Sequence, residues 1–228
     1  MSYVIPPAPQ ASLAVQGSDD RFPVRRIFCV GRNYAEHIRE MGNDERDPPF
    51  YFTKPADAIV PSGEEMPYPK ATEDLHHEVE LVLAVGAGGS NIALKDAMDH
   101  VWGVAVGIDL TRRDLQSVAK KAGRPWDMAK GFDQSAPMGA LLPLADAGAL
   151  TSGAITMKVN GETRQTGDLS EMIWSAADCV AHLSTLVELK PGDLIMTGTP
   201  AGVSAVGKGD LMAAHIDGLP ELMVRIAP

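Results

Sequence analysis

Short apolar runs bounded by Gly, Pro, Asn or Asp recur along this chain, and each predicts a strand: Arg26-Ile27-Phe28-Cys29-Val30, Phe50 to Phe52, about 77–85, about 102–109 and Leu194 to Thr197. Met157 to Arg164 reads as a hairpin turning at Asn160-Gly161, the pair that best tolerates the left-handed backbone of a tight turn. Helical spacing is rarer. Asn33 can cap a short helix from Tyr34 to Met41, stopped by Gly42. Asn91 is placed to cap a helix over 92–100, and Thr111 one running to about Lys121 and ending at Gly123. Asp168 or Ser170 is placed to cap a longer helix to about Leu189, apolar at Met172, Ile173, Ala176, Val180, Leu183 and Leu186. Residues 61–73 and the glycine cluster 86–89 read as loop and turn. Strands outnumber helices without regular alternation, so the class is α+β with a β-rich core. Residues 1–24 are Pro-rich and aperiodic and read as an extended arm that wraps the domain or a partner subunit; 25–228 read as one domain.

Three acids interrupt this pattern. Glu78 and Glu80 sit in Leu75-His76-His77-Glu78-Val79-Glu80-Leu81-Val82-Leu83-Ala84-Val85, and Asp109 ends Val104-Ala105-Val106-Gly107-Ile108. Residues two apart on a strand share a face, with side chains roughly 7 Å apart. Burying like charges together is costly unless a cation compensates. Three carboxylates with no cysteine suit a hard divalent ion, Mg2+ or Mn2+. The ordinary alternative for Glu-x-Glu is the solvated face of a half-buried strand, and Asp109, at a strand end before a helix, weighs against it.

Composition narrows the field. Hydrophobic residues make up 45% and charged residues 22% of 228, as in a soluble globular chain. Thirty acids against twenty Lys and Arg give a net charge of −10, which disfavours nucleic acid or anionic membrane as the main partner. No apolar run reaches the roughly 20 residues of a membrane span, and the N-terminus lacks the pattern of a signal peptide, so the chain is expected in the cytoplasm. Cys29 and Cys179 are expected as separate buried thiols.

Other residues carry chemistry only in company. His37 and Glu40, at i and i+3, share a helix face, and the carboxylate would orient the imidazole as a base for water; a surface pair is the alternative. The short helix and the polar 42–50 loop are a candidate lid. His76 shares the face of the two glutamates and is a candidate outer partner to them, whereas His77 points the other way. His182 reads as structural, and His100 and His215 have no constellation around them. Lys130, Arg113 and Gln116 are candidates to hold a substrate carboxylate or oxyanion, and Thr197 and Thr199 around Gly198 offer donors to an anion. Arg113 pairing with acids on the surface is the alternative.

The stretches Gly31-Arg32-Asn33-Tyr34-Ala35-Glu36-His37, His76-His77-Glu78-Val79-Glu80, Ile108-Asp109-Leu110-Thr111-Arg112-Arg113-Asp114, Ala129-Lys130-Gly131-Phe132-Asp133 and Thr197-Gly198-Thr199-Pro200-Ala201-Gly202, in that order, resemble the fumarylacetoacetate hydrolase family. The resemblance implies a mixed β-sandwich roll with short peripheral helices and a homodimer. It implies Mg2+ or Mn2+ on Glu78, Glu80 and Asp109, a lid dyad of His37 and Glu40 that activates water, and Lys130 supporting an oxyanion or enolate. Arg113, Gln116 and Thr199 would bind substrate; Arg32, Arg39 and Lys54 are candidates for a distal carboxylate. The reaction implied is hydrolytic cleavage of the C3–C4 bond of a 2,4-dioxo acid, above all of fumarylpyruvate in gentisate catabolism. Oxaloacetate decarboxylation, acylpyruvate hydrolysis and isomerisation of unsaturated oxo-diacids are the alternatives on the same site.

Overall fold

The computed structural model describes residues 2–34 and 48–228. Its centre is a mixed eight-stranded sheet, in the order 50–54, 26–31, 193–196, 79–85, 101–108, 136–138 and 59–61, with 142–143 also paired to 101–108. A five-stranded sheet (162–168, 154–159, 211–216, 222–226, 65–66) and a three-stranded sheet (111–112, 75–77, 204–206) complete the roll. Among the described residues the helices are short: Arg113–Lys121, Asp127–Lys130, Leu144–Ala147 and Ala176–Leu186, with a few 3-10 turns. The expected α+β class with a β-rich core is what the chain forms.

The period of two explains why the central sheet holds. Along 79–85, Val79, Leu81, Leu83 and Val85 join one apolar cluster, while Val82 and Ala84 join a second. Phe28, Val30, Val104, Val106, Ile108 and Ile195 follow the first set; Ile27, Cys29, Ala105, Leu194 and Met196 follow the second. The sheet is therefore covered on both faces, and this is why its strands read as near-continuous apolar runs. The first face packs on the five-stranded sheet and the helix Ala176–Leu186, and the second is covered partly by the N-terminal arm through Leu13 and Val24. That arm forms its own two-stranded ladder, Ser12–Ala14 with Arg21–Pro23. Tyr3, Val4 and Ile5 ahead of it stay exposed.

Several expected elements take a different form. The acid-bearing segment is two strands, Leu75–His77 and Val79–Val85, because the chain changes sheet at Glu78. The 61–73 loop contains a short strand, Glu65–Met66, paired to 222–226. Asn91 does not cap a helix: it has φ 51, and Leu94–His100 is a 3-10 run without a side-chain cap. Thr111 lies in a strand, its hydroxyl facing Lys130, and the helix after it starts uncapped at Arg113. The long helix is divided. Asp168 caps only a 3-10 turn over Leu169–Glu171, and Ser175 caps a separate α-helix, Ala176–Leu186. Both caps are reciprocal capping boxes, and an Asp-x-x-Glu followed by a Ser-x-x-Asp shows two helix starts where a single periodic stripe suggests one. The Asn160-Gly161 turn forms as expected, with φ 52 and 83.

Candidate active site

Register brings the three acids together. In the antiparallel pair of 79–85 with 101–108, Val79 stands opposite Ile108 and Glu80 opposite Gly107. Continuing the ladder by one residue puts Asp109 beside Glu78, and the Asp109 N–H donates to the Glu78 carbonyl at 2.8 Å. Cross-strand neighbours share a face, so all three carboxylates point to the side of Val82 and Ala84. At this corner both chains leave the central sheet for the three-stranded one, which opens space above them. The acids are buried, and ligand oxygens from all three lie within 4.8 Å of one another.

Cations and backbone donors surround the acids. The Lys130 ammonium donates to Glu78 (2.8 Å), Asp109 (2.7 Å) and Thr111 Oγ1 (2.6 Å). Those three bonds use all the donors a lysine has. Burial disfavours the charge on Lys130, but Asp109 and Glu78 outweigh it, and its pKa lies above the ordinary lysine value. Lys54, fully buried, stands 2.8 Å from the other Asp109 oxygen and donates to the carbonyls of Leu110 and Lys130. It is thus a structural cation of the acid cluster, and the expectation that it could reach a distal substrate carboxylate is corrected. Arg113 donates to Glu78 Oε1 and Gln116 Oε1, and through Nε to His76 Nδ1 at 3.3 Å; His76 Nε2 lies 2.8 Å from Asp74. Arg113 therefore pairs inward and bridges His76 to Glu78. Desolvation and then Arg113 hold His76 below the usual histidine range.

Glu80 has a different environment. Its Oε2 accepts the Gly198 N–H at 2.7 Å. Gly198 comes abreast of Glu80 because 193–196 pairs with 79–85, and the Thr197 N–H continues the ladder to Leu81. Only glycine fits here: φ is 94, and a Cβ would lie 2.7 Å from the Cβ of Asn33. Asn33 is itself fully engaged, bonding the Trp174 N–H and carbonyl and the Thr197 carbonyl. Burial, followed by the charges of Asp109 and Glu78, raises the Glu80 pKa well above the ordinary carboxylate value. A donor set of three converging carboxylate oxygens, at one of which burial and like charge disfavour the ionised form, fits a hard divalent cation.

This has a measurable consequence. Glu80 binds its proton more tightly in the folded protein than in the unfolded chain. In EDTA its contribution to stability is complete below the ordinary carboxylate range and is lost as pH rises through the raised pKa. A divalent ion favours the ionised form, so the gain in Tm on adding Mn2+ is expected to grow between about pH 5 and pH 8. Thermal unfolding across that range, with Mn2+ or EDTA, checks it; a gain that shrinks as pH rises contradicts Glu80 as a ligand.

The cleft above the acids is also lined by Arg32, Phe52, Gln116, Trp126, Lys130 and Thr199. Phe50, Phe52 and Trp126 form an aromatic wall, with ring centroids 5.2 and 6.0 Å apart across Trp126. Gly31 lets Phe50 close on the neighbouring strand, because a Cβ there would fall 2.1 Å from its ring. Arg32 lies over Phe50, its guanidinium 5.4 Å from the ring centroid. His37, Glu40 and Arg39 lie outside the described residues. His77 is buried away from the acids, bonded to Gln165 and Ser204, in keeping with its exclusion as a ligand. His182 stacks on Tyr51, consistent with a structural role. A separate apolar pocket of about 420 Å3, between Leu144, Leu150 and Met172, is lined by no titratable side chain.

The model of the Fumarylacetoacetate (FAA) hydrolase C-terminal family matches residues 26–227. The chain belongs to this family. It is 41% identical to a fumarylpyruvate hydrolase of Ralstonia sp over 179 residues, covering 78% of this chain and 93% of the relative. It is 42% identical to the mitochondrial oxaloacetate tautomerase FAHD1 of Rattus norvegicus over 205 residues, covering 89% and 91%. Among solved structures, fumarylpyruvate hydrolase from Pseudomonas aeruginosa in complex with Mn2+ and pyruvate matches with a TM-score of 0.96 at 52% identity, over 99% of each chain. Members of the family thus share this chain's β roll, and the Pseudomonas member holds a divalent ion together with a 2-oxo acid.

Sequence reasoning missed Gln165 and gave Lys54 a different role. Lys54 closes an aromatic strand and gave no sign that its side chain turns inward. Gln165 lies in a strand whose neighbours are exposed, in a sheet distant in sequence from the acids.

Proposed function

We propose that this protein is a divalent-metal-dependent hydrolase that cleaves the C3–C4 bond of fumarylpyruvate, giving fumarate and pyruvate, within gentisate catabolism. The single observation that carries this reading is the buried Glu78, Glu80 and Asp109 cluster, in a chain alike over its full length to a fumarylpyruvate hydrolase that holds Mn2+ and pyruvate. Glu78, Glu80 and Asp109 are the residues that would hold Mg2+ or Mn2+. When bound, the ion supplies Lewis-acid stabilisation of negative charge developing on the substrate oxygens.

The chain's own residues do the rest. Arg113 and Gln116 hold each other at the cleft wall and present a planar cation and an amide to the pyruvyl carboxylate, with the Thr199 hydroxyl beside them. Lys130, bonded to both Glu78 and Asp109, fixes the two carboxylates; it aids the leaving pyruvate enolate only by giving up one of its three bonds. Arg32, on the aromatic wall, is placed for the fumaryl carboxylate. His37, oriented by Glu40, removes a proton from the water that attacks the 4-oxo carbon. Residues 25–228 form the catalytic domain, with 1–24 as an arm. Its exposed Tyr3, Val4 and Ile5 support a homodimer. Two buried thiols without a disulfide support the cytoplasm, and no helix among the described residues is long and apolar enough to cross a membrane.

The likeness to an oxaloacetate tautomerase sets the competing reading. The two differ at the distal end of the substrate, where fumarylpyruvate carries an extended acid that oxaloacetate lacks. kcat/KM for fumarylpyruvate is expected to exceed that for acetylpyruvate and for oxaloacetate decarboxylation by about 10²-fold or more, the scale of a site built around a charged group. Preference for oxaloacetate would move the assignment to that branch while leaving the metal site in place.

A further inference from the structure

We propose that Gln165 is a positioning residue that makes the Thr199 hydroxyl a one-way hydrogen-bond donor to the acidic substrate. This rests on the reading of the cleft as a dioxo-acid site. Gln165 enters the site from the five-stranded sheet. Its neighbours on the strand 162–168 are largely exposed, yet Gln165 is fully buried. The cause is a β-bulge: Met157 pairs with Gln165 and Lys158 with Thr163, which leaves Arg164 as the extra residue. Bulges re-aim side chains. Gly202 seals the contact, since a Cβ there would lie 2.3 Å from the Arg164 carbonyl oxygen. The Thr197–Gly202 loop thereby packs directly on the bulge.

Two backbone groups fix the polarity of the Gln165 amide. The Val79 N–H can only donate, and it meets Gln165 Oε1 at 3.1 Å. The Pro200 carbonyl can only accept, and it meets Nε2 at 2.9 Å. The remaining Nε2 hydrogen is directed at Thr199 Oγ1, 2.8 Å away. The second lone pair of Oε1 takes His77 Nδ1 at 2.9 Å, and His77 is held in turn by Ser204 at 2.9 Å. All four bonding positions of the amide are filled, so it has no alternative arrangement.

Thr199 Oγ1 is therefore an acceptor from Gln165, and its own proton must go elsewhere. Among the described residues no atom accepts it. Thr199 is 3% exposed and lines the cleft with Glu80, Arg113 and Lys130. A ligand oxygen in the cleft is a partner open to this hydroxyl. Without Gln165 the hydroxyl could turn its proton inward, and the cleft would lose a fixed donor.

A double-mutant cycle on the Mn2+-loaded protein tests this, with KM for fumarylpyruvate and Kd for pyruvate as parallel readouts. Gln165→Met and Thr199→Val are each expected to raise both constants by about tenfold, the value of one hydrogen bond to a charged group. The double variant is expected to be no worse than either single one, because both remove the same donor. Thr199→Ser keeps the hydroxyl and is expected to recover most of what Thr199→Val loses in both constants. Gln165→Leu also lacks both amide hydrogens and cannot donate to Thr199; it is expected to match Gln165→Met and serves if the methionine variant does not fold. Effects that multiply in the double variant, or wild-type constants in Gln165→Leu, overturn the proposal. If the wild-type protein binds pyruvate but does not cleave fumarylpyruvate, the reaction assignment fails while the Kd cycle still decides on Gln165. Binding of neither overturns both.

Discussion

Glu80→Gln is expected to lower kcat/KM by about 10³-fold or more, the scale on which loss of one preorganised electrostatic group is felt, while making the protein in EDTA more stable at neutral pH. The two effects share one cause. Glu80 is buried beside Asp109 and Glu78, and burial followed by those charges disfavours its ionised form. An amide keeps the shape and can still accept the Gly198 N–H, but removes that charge and a ligand oxygen of the right hardness. Thermal unfolding in EDTA and in Mn2+ reads the first consequence, turnover the second. A variant with wild-type turnover and a wild-type response to Mn2+ would remove Glu80 from the metal site. Lower stability in EDTA would show instead that the ionised carboxylate, close to Lys130, stabilises the fold.

The second large effect is expected at the dyad. His37→Ala should lower kcat by about 10²- to 10⁴-fold, the range of general base catalysis, with KM changed little. Substrate contacts are assigned to Arg113, Gln116 and Thr199, which this substitution leaves in place, and a base acting on water matters only in the transition state. Glu40→Gln should show a smaller loss in the same direction, because it disturbs the orientation of the imidazole rather than removing it. A rise in KM at unchanged kcat would make His37 a substrate contact and leave water activation to another group.

The acids were legible in the sequence because they violate its strongest regularity. A strand with apolar residues on both faces leaves no room for Glu80 unless something compensates it, and period two alone puts Glu78 and Glu80 on one side. The third partner was legible only as a strand end. Its position beside Glu78 depends on the register of 79–85 with 101–108, set by packing across the sheet rather than by any local signal. Strands were read well for the same reason that they dominate: their apolar runs are bounded by clear turn residues. Helix starts were read less well. Asn91 and Thr111 have the composition of caps, but Asn91 adopts a left-handed turn and the Thr111 hydroxyl is taken by Lys130. Tertiary contacts of this kind override local preference. Lys54 and Gln165 were illegible in their roles because each reaches the site from another strand or sheet, one through strand pairing and the other through a bulge, and neither device has a residue signature.

The central claim is that the acid cluster holds a divalent ion and that the chain uses it to hydrolyse fumarylpyruvate. The most direct test follows loss of the dioxo-acid ultraviolet absorbance of fumarylpyruvate with added Mg2+ or Mn2+ and with EDTA, quantifying the products. The account predicts equimolar fumarate and pyruvate, formed only with the metal and restored when metal is added back after EDTA. Equal turnover in EDTA, or loss of absorbance without fumarate, would contradict it.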